Sequence, residues 1–200
     1  MTILPSGSPE DGPPNRDSDL DDTIPEWVPL EPLPSSEMFL AAFNGKPPLT
    51  AADILDPAFD LVACQKQYRL AYEVLGSDTT SAEQLRPAAS ELVVAQTDIE
   101  VLIAIIDDVV TDRLKQCRNQ RSSPLPLLQT SLIDEVIAVH TESIGEIAAR
   151  MADLWERVAI RSKQPDCDEL PEAHQLVELC KGYDQLAAEI EPGRRLPPGM

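Results

Sequence analysis

Residues 80–118, TSAEQLRPAASELVVAQTDIEVLIAIIDDVVTDRLKQCR, decide the fold of this chain. Apolar side chains recur in this stretch every three or four residues, the spacing of one face of an α-helix. A capping box at Thr80–Glu83 marks the start, and Pro87, one turn inside, either marks the true start or kinks the helix. The stretch is predicted to be one long helix ending near Arg118, and the residues that keep this spacing are Leu92, Gln96, Ile99, Ile103, Ile106 and Val110.

Three further stretches have the same helical spacing. One runs from Pro57 to the stop signal Gly76, another from Ile133 to Val158 with a weak point at Ser143, and the last opens at Pro171. We expect the Ile133–Val158 stretch to form a single helix. No segment alternates with a period of two residues over a useful length, so a sheet is not expected. The predicted fold class is all-α, an antiparallel four-helix bundle over residues 49–191.

Both ends of the chain differ in composition from this bundle. Residues 1–48 hold ten of the 19 prolines, with nine acidic and two basic residues. Such a segment buries too little apolar surface to offset its conformational entropy. Residues 1–48 are therefore predicted to be a disordered acidic tail, and residues 192–200 a second, short disordered tail.

A cluster of large apolar side chains interrupts the acidic tail at residues 25–43. We consider two interpretations equally: the cluster binds a protein partner, or it folds back and covers an apolar groove on the chain's own bundle. The residues predicted to bind the partner are Trp27, Leu30, Met38, Phe39 and Phe43.

Charge excludes several classes of function. The chain has 200 residues, with 16 Lys and Arg against 35 Asp and Glu, a net charge of -19. Polyanions are repelled by such a surface, so neither direct nucleic-acid binding nor membrane binding is expected. No run approaches the length of a membrane span, and the first residues lack the features of a signal peptide. With its four cysteines scattered and no CxxC pair, the chain is expected to be cytoplasmic, with reduced thiols.

Signals for catalysis are sparse. The sequence contains no Gly-x-Ser-x-Gly motif and no phosphate-binding glycine loop, and neither a cofactor nor a metal site is predicted. His140 lies on an apolar stripe position, where a bundle interior can shift an imidazole pKa. An alternative function is therefore an enzyme, or a binder of a nucleotide, a nucleotide sugar or a divalent metal, that uses His140, Glu146 and Asp107.

Two segments resemble an uncharacterised bacterial all-helical domain family that is commonly encoded near glycosyltransferases. The first matches its long helix ending in Ile-Asp, and the second matches a Ser or Thr cap with Gly-Glu-Ile and a later Arg. The resemblance covers about residues 58–190 and implies a setting in sugar-transfer or secondary-metabolite pathways. The matching residues are Ser81, Glu83, Leu92, Gln96, Leu102, Ile103, Ile106 and Asp107 in the first segment, and Thr141–Ile147, Arg150, Met151 and Leu154 in the second.

Together these observations favour a non-enzymatic accessory or adaptor protein that acts by binding another protein. The bundle would serve as the scaffold, and the apolar cluster of the tail as the recognition segment. Heptad stripes can pair within one chain or between chains, so a homo-oligomer is also compatible with the sequence.

Overall fold

A computed structural model describes residues 31–46, 48–121, 138–164 and 170–198. Within these ranges the fold is all-α, a helical bundle with one pair of two-residue parallel strands. Its elements are α1 Ser36–Phe43, α2 Ala52–Leu75, α3 Ala82–Arg121, β1 Ala138–Val139, α4 Ile144–Arg161, α5 Pro171–Ile190 and β2 Arg195–Leu196.

Helices α2 and α3 form an antiparallel hairpin with the largest helix interface of the described residues. A short connection at residues 76–81 joins them, and at the other end Arg113 of α3 forms an ion pair with Asp53 in the first turn of α2. Helix α4 packs on both. It runs in the same direction as α2, because Gln65 Nε2 donates to Ala149 O at 3.3 Å and Arg69 pairs with Glu156 at 3.4 Å.

The short helix α1 belongs to the core of this bundle. Its Phe39 ring meets Tyr183 of α5 edge-on, with ring centroids 5.4 Å apart, and its Phe43 ring lies 6.4 Å from Trp155 of α4. Burial of these aromatic side chains removes a large apolar area from water. The largest fully buried side chains around them include Ile54, Leu55, Leu61, Ile106, Ile144, Met151 and Ile190.

Hydrogen bonds to α5 hold the segment that leads into α1. Leu33 N donates to Glu191 Oε1 at 2.8 Å, and the Tyr183 hydroxyl donates to Pro34 O at 2.6 Å. Asp184 accepts from both the backbone N–H and the hydroxyl of Ser36, at 2.8 and 2.7 Å. The predicted boundary at residue 48 is therefore corrected, because residues 31–46 are part of the folded bundle.

The single helix expected over Ile133–Val158 is also corrected. Residues 138–139 are the strand β1, and α4 begins only at Ile144, with Ser143 as its N-cap. The apolar spacing of the sequence continues through this point, but α4 does not extend back beyond Ser143. The Ser143 cap begins the helix, and before it His140 N donates to Leu196 O at 2.8 Å. Residues 133–137 lie outside the described ranges.

The end of the chain after α5 is tied to that same segment. Arg195 and Leu196 of β2 pair in parallel with Ala138 and Val139 of β1. The prediction that residues 192–200 form a disordered tail is therefore wrong for β2, because its two residues pair with a distant part of the chain.

Candidate functional site

The start of α4 brings together two of the three residues predicted for a small-ligand site. Gly145 N donates to Asp107 Oδ1 of α3 at 2.8 Å. Ser143 and Glu146 form a reciprocal capping box, with Glu146 N donating to Ser143 Oγ at 3.1 Å and Ser143 N donating to Glu146 Oε2 at 2.7 Å. Both carboxylates thus satisfy backbone N–H groups that the first turn of a helix leaves unpaired.

His140, the third predicted residue, lies before the helix and not on a helical stripe. Its Nδ1 accepts from Glu142 N at 3.2 Å and lies 2.8 Å from Glu142 O. The side chain is half-buried. Its ring nitrogen therefore holds the turn that leads into the Ser143 cap.

Helix α4 meets α3 at very close range beside these caps. A Cβ built on Gly145 would lie 2.5 Å from the backbone oxygen of Ile103 and 3.0 Å from Asp107 Oδ1. Real Cβ atoms essentially never approach a backbone oxygen so closely. A glycine is required here because the backbone of α4 packs directly on the backbone of α3.

Burial raises the pKa of Asp107 above the ordinary carboxyl range. The hydrogen bonds from the Ser143 hydroxyl and Gly145 N lower the pKa, and the nearby charges of Glu146 and Asp108 raise it, but desolvation is the largest cause. The folded state therefore binds this proton more tightly than the unfolded chain does. The resulting stabilisation is fully present below the unfolded pKa and is lost as pH rises through the folded pKa.

We expect Asp107→Asn to be at least as stable as the parent protein at pH 7, and Asp107→Ala to cost about 1–3 kcal/mol. The asparagine Oδ1 can still accept from Gly145 N without carrying a buried charge, whereas alanine leaves that donor unpaired. Urea unfolding between pH 4 and pH 8 measures the free energy of unfolding of the parent and of both variants. The free energy of unfolding of the parent, relative to that of the asparagine variant, should fall as pH rises, and a relative stability that increases with pH would contradict this assignment.

A second feature is the open groove between α2 and α4, with a volume of about 930 Å³. Three arginines line it, and each is paired: Arg69 with Glu73 and Glu156, Arg150 with Glu142, and Arg157 with Asp153. The volume suits a small ligand, but acids already balance the cations of the wall. The remaining lining side chains are Gln65, Tyr68, Tyr72, Ile103, Thr141, Glu146 and Ala149.

A third feature is an apolar row on α3, formed by Val94, Val101 and Ile105, which we call the outer face. These side chains are 54%, 52% and 43% exposed. Steps of seven and four residues place them on one side of the helix. From Pro87 to Asp112 the helix contains no Lys or Arg, but six acids: Glu91, Asp98, Glu100, Asp107, Asp108 and Asp112.

A shallow groove of about 370 Å³ between α2 and α3 adjoins the outer face. Its apolar lining includes Cys64, Leu102 and Val101 of the outer face, and its acidic lining is Asp60 and Asp98. The pKa of the Cys64 thiol is raised by burial and then by the charges of Asp98 and Asp60. The groove therefore combines an apolar wall with a negative potential.

The predicted partner-binding residues lie elsewhere. Phe39 and Phe43 are buried in the chain's own core, and Met38 is half-buried against it. The two phenylalanines therefore agree with the second interpretation, in which the segment folds back on its own bundle. Trp27 and Leu30 lie outside the described residues.

Sequence reasoning missed the outer face, although a signal was present. Val94, Val101 and Ile105 do not fall on the stripe that predicts the buried side of α3. A helix with more apolar residues than one buried side can hold presents the surplus to solvent or to a partner.

Two further findings apply to the described ranges alone. No group of three or more His, Cys, Asp and Glu side chains there is placed to hold a metal ion. None of the described helices combines the length and apolar character that crossing a membrane requires.

Comparisons of the chain with protein-family models, with curated proteins and with solved structures found no match.

Proposed function

We propose that this chain is a non-enzymatic accessory or adaptor protein that binds another protein through the outer face of α3. The observation that carries the proposal is the row formed by Val94, Val101 and Ile105, which no described element covers. Exposed apolar surface is costly in water, and contiguous apolar surface usually marks an interaction site.

The distribution of exposed apolar side chains supports this choice of surface. Within the described ranges they concentrate on the second half of α2 and on α3. The buried residues near the α2–α3 connection are small: Ala71, Ala88 and Ala95. The large exposed members of the group are Leu70, Tyr72, Val74, Leu85, Val93, Val94, Val101 and Ile105.

The small-ligand alternative has less support. Asp107 and Glu146 accept hydrogen bonds from the backbone at the start of α4, and the ring of His140 bonds to the backbone of Glu142. A residue that is needed to hold the fold is less free to bind or transform a ligand. The groove beside Glu146 keeps the size for a ligand, but its charges are already balanced.

Affinity capture from the native host's lysate tests the proposal. The full chain and the double variant Val101→Ser/Ile105→Ser are compared with Val177→Ser, which changes an equally exposed valine on α5. We expect a stoichiometric partner to be retained by the full chain and the Val177 variant, and to bind the double variant about tenfold more weakly or worse.

The proposal fails if the double variant, with unchanged circular dichroism and melting temperature, captures the partner as well as the full chain does. The identity of the captured protein also tests the proposed setting in sugar-transfer or secondary-metabolite pathways, and its compartment tests a cytoplasmic location.

A further inference from the structure

We propose that the outer face of α3 accepts a lysine- or arginine-rich amphipathic helix of the partner protein. This inference rests on the proposed function and adds the chemistry of the segment that is bound. It follows from the shape of the apolar row, from the charge around it, and from the cost of pairing this face with itself.

The shape of the surface favours a helix as the occupant. The apolar row runs along α3 in steps of seven and four residues, and the groove lined by Cys64 and Leu102 lies beside it. A helix that lies along such a row presents its own anchors at i, i+4 and i+7. Its apolar side would cover Val94, Val101 and Ile105, and it would bury surface that α2 and α3 leave exposed.

The charge of the surface determines what must flank those anchors. Asp60 and Asp98 line the groove, and exposed Glu91 and Asp108 lie one turn from members of the row. Neither the groove lining nor α3 between Pro87 and Asp112 contributes a basic side chain. A partner helix with Lys or Arg beside its apolar stripe is therefore attracted to these acids, and an acidic helix is repelled.

A second copy of this chain is disfavoured at this face for the same reason. Pairing two outer faces would bring Glu91, Asp98 and Asp108 of each copy against those of the other. The chains would also carry -19 each. Like charges placed opposite one another in an interface oppose association.

Fluorescence anisotropy with a labelled synthetic peptide tests this inference. The probe is a peptide of about 18 residues, above the length of about 12–15 residues at which isolated helices are marginal in water. It has leucine at i, i+3, i+4 and i+7 and lysine at the other positions. A matched peptide carries glutamate in place of lysine. The protein is used as the full chain, at about 50 mM and 200 mM salt.

Variants separate a specific site from general acidity. Val101→Ser/Ile105→Ser removes two apolar anchors, with Val177→Ser as its control. Glu91→Gln/Asp98→Asn removes two exposed acids beside the apolar row of the outer face. The control Asp78→Asn/Glu178→Gln removes two exposed acids elsewhere, one in the connection between α2 and α3 and one on α5, with the same change in net charge.

We expect the lysine peptide to bind at least about tenfold more tightly than the glutamate peptide, with affinity falling at higher salt. The Val101/Ile105 variant should bind the lysine peptide about fivefold more weakly or worse, and the Glu91/Asp98 variant should lose clearly more affinity than the Asp78/Glu178 control. Equal losses in the two acid variants would overturn the inference, because binding would then follow net charge alone.

Two other results would also overturn it. One is a dimer in sedimentation equilibrium that Val101→Ser/Ile105→Ser converts to monomer, which would make a second copy the occupant. The other is failure of the lysine peptide to bind while capture of the native partner still depends on Val101 and Ile105. In that case the proposed function stands and only the helix chemistry is wrong, whereas capture that ignores both residues removes the proposed function itself.

Discussion

A chain truncated to residues 49–200 is expected to lose cooperative folding, whereas residues 31–200 should fold like the full protein. The shorter chain lacks Phe39, which is fully buried, and Phe43, and it exposes the rings of Tyr183 and Trp155 that they cover. Removal of one buried aromatic side chain costs about 3–5 kcal/mol. Loss of two approaches the whole stability of a typical domain, about 5–15 kcal/mol. Circular dichroism during heating and urea unfolding would measure the effect.

The single change Phe39→Ala in the full chain is the companion measurement, with an expected cost of about 3–5 kcal/mol. A truncated chain that unfolds cooperatively within about 1 kcal/mol of the full protein would show that α1 is dispensable to the core. The result also decides how deletions are interpreted. Only removal of residues 1–30 tests Trp27 and Leu30 as partner-binding residues, because removal of residues 1–48 damages the bundle as well.

Gly145→Ala is expected to destabilise the protein by about 3 kcal/mol or more, at the upper end of the range for overpacking. The added methyl group would lie 2.5 Å from the backbone oxygen of Ile103, and backbone cannot rotate away as a flexible side chain can. Relief requires α4 to shift from α3, which would lengthen the 2.8 Å bond from Gly145 N to Asp107. Denaturant unfolding of the variant measures the cost.

Gly182→Ala is the matched control for that substitution. Gly182 also lies within a helix, α5, but nothing lies within 4 Å of a Cβ built there. Alanine should therefore stabilise the protein by up to about 1 kcal/mol through helix propensity alone. Similar effects at the two glycines would mean that α4 does not approach α3 as closely as described.

The sequence by itself determined where most of the long helices lie. The predicted start at Pro171 and the stop at Gly76 agree with α5 and α2, and the stretch around residues 80–118 is α3. These signals act locally, because proline, glycine and capping side chains change the backbone within one turn of their own position. The all-α fold class was predictable because helical apolar spacing is also local.

Only the tertiary structure decided the roles of α1, the start of α4 and the outer face of α3. Phe39 and Phe43 could be judged equally well as exposed or buried until Tyr183 and Trp155 were placed beside them. The apolar stripe through residue 140 predicted a continuous helix, but β2 pairs with β1 and the Ser143 cap begins α4 after it. Likewise, the apolar spacing of α3 does not reveal that Val101 and Ile105 are left uncovered. In each case burial depends on contacts between residues distant in the chain, and a local pattern contains no information about which neighbour will cover it.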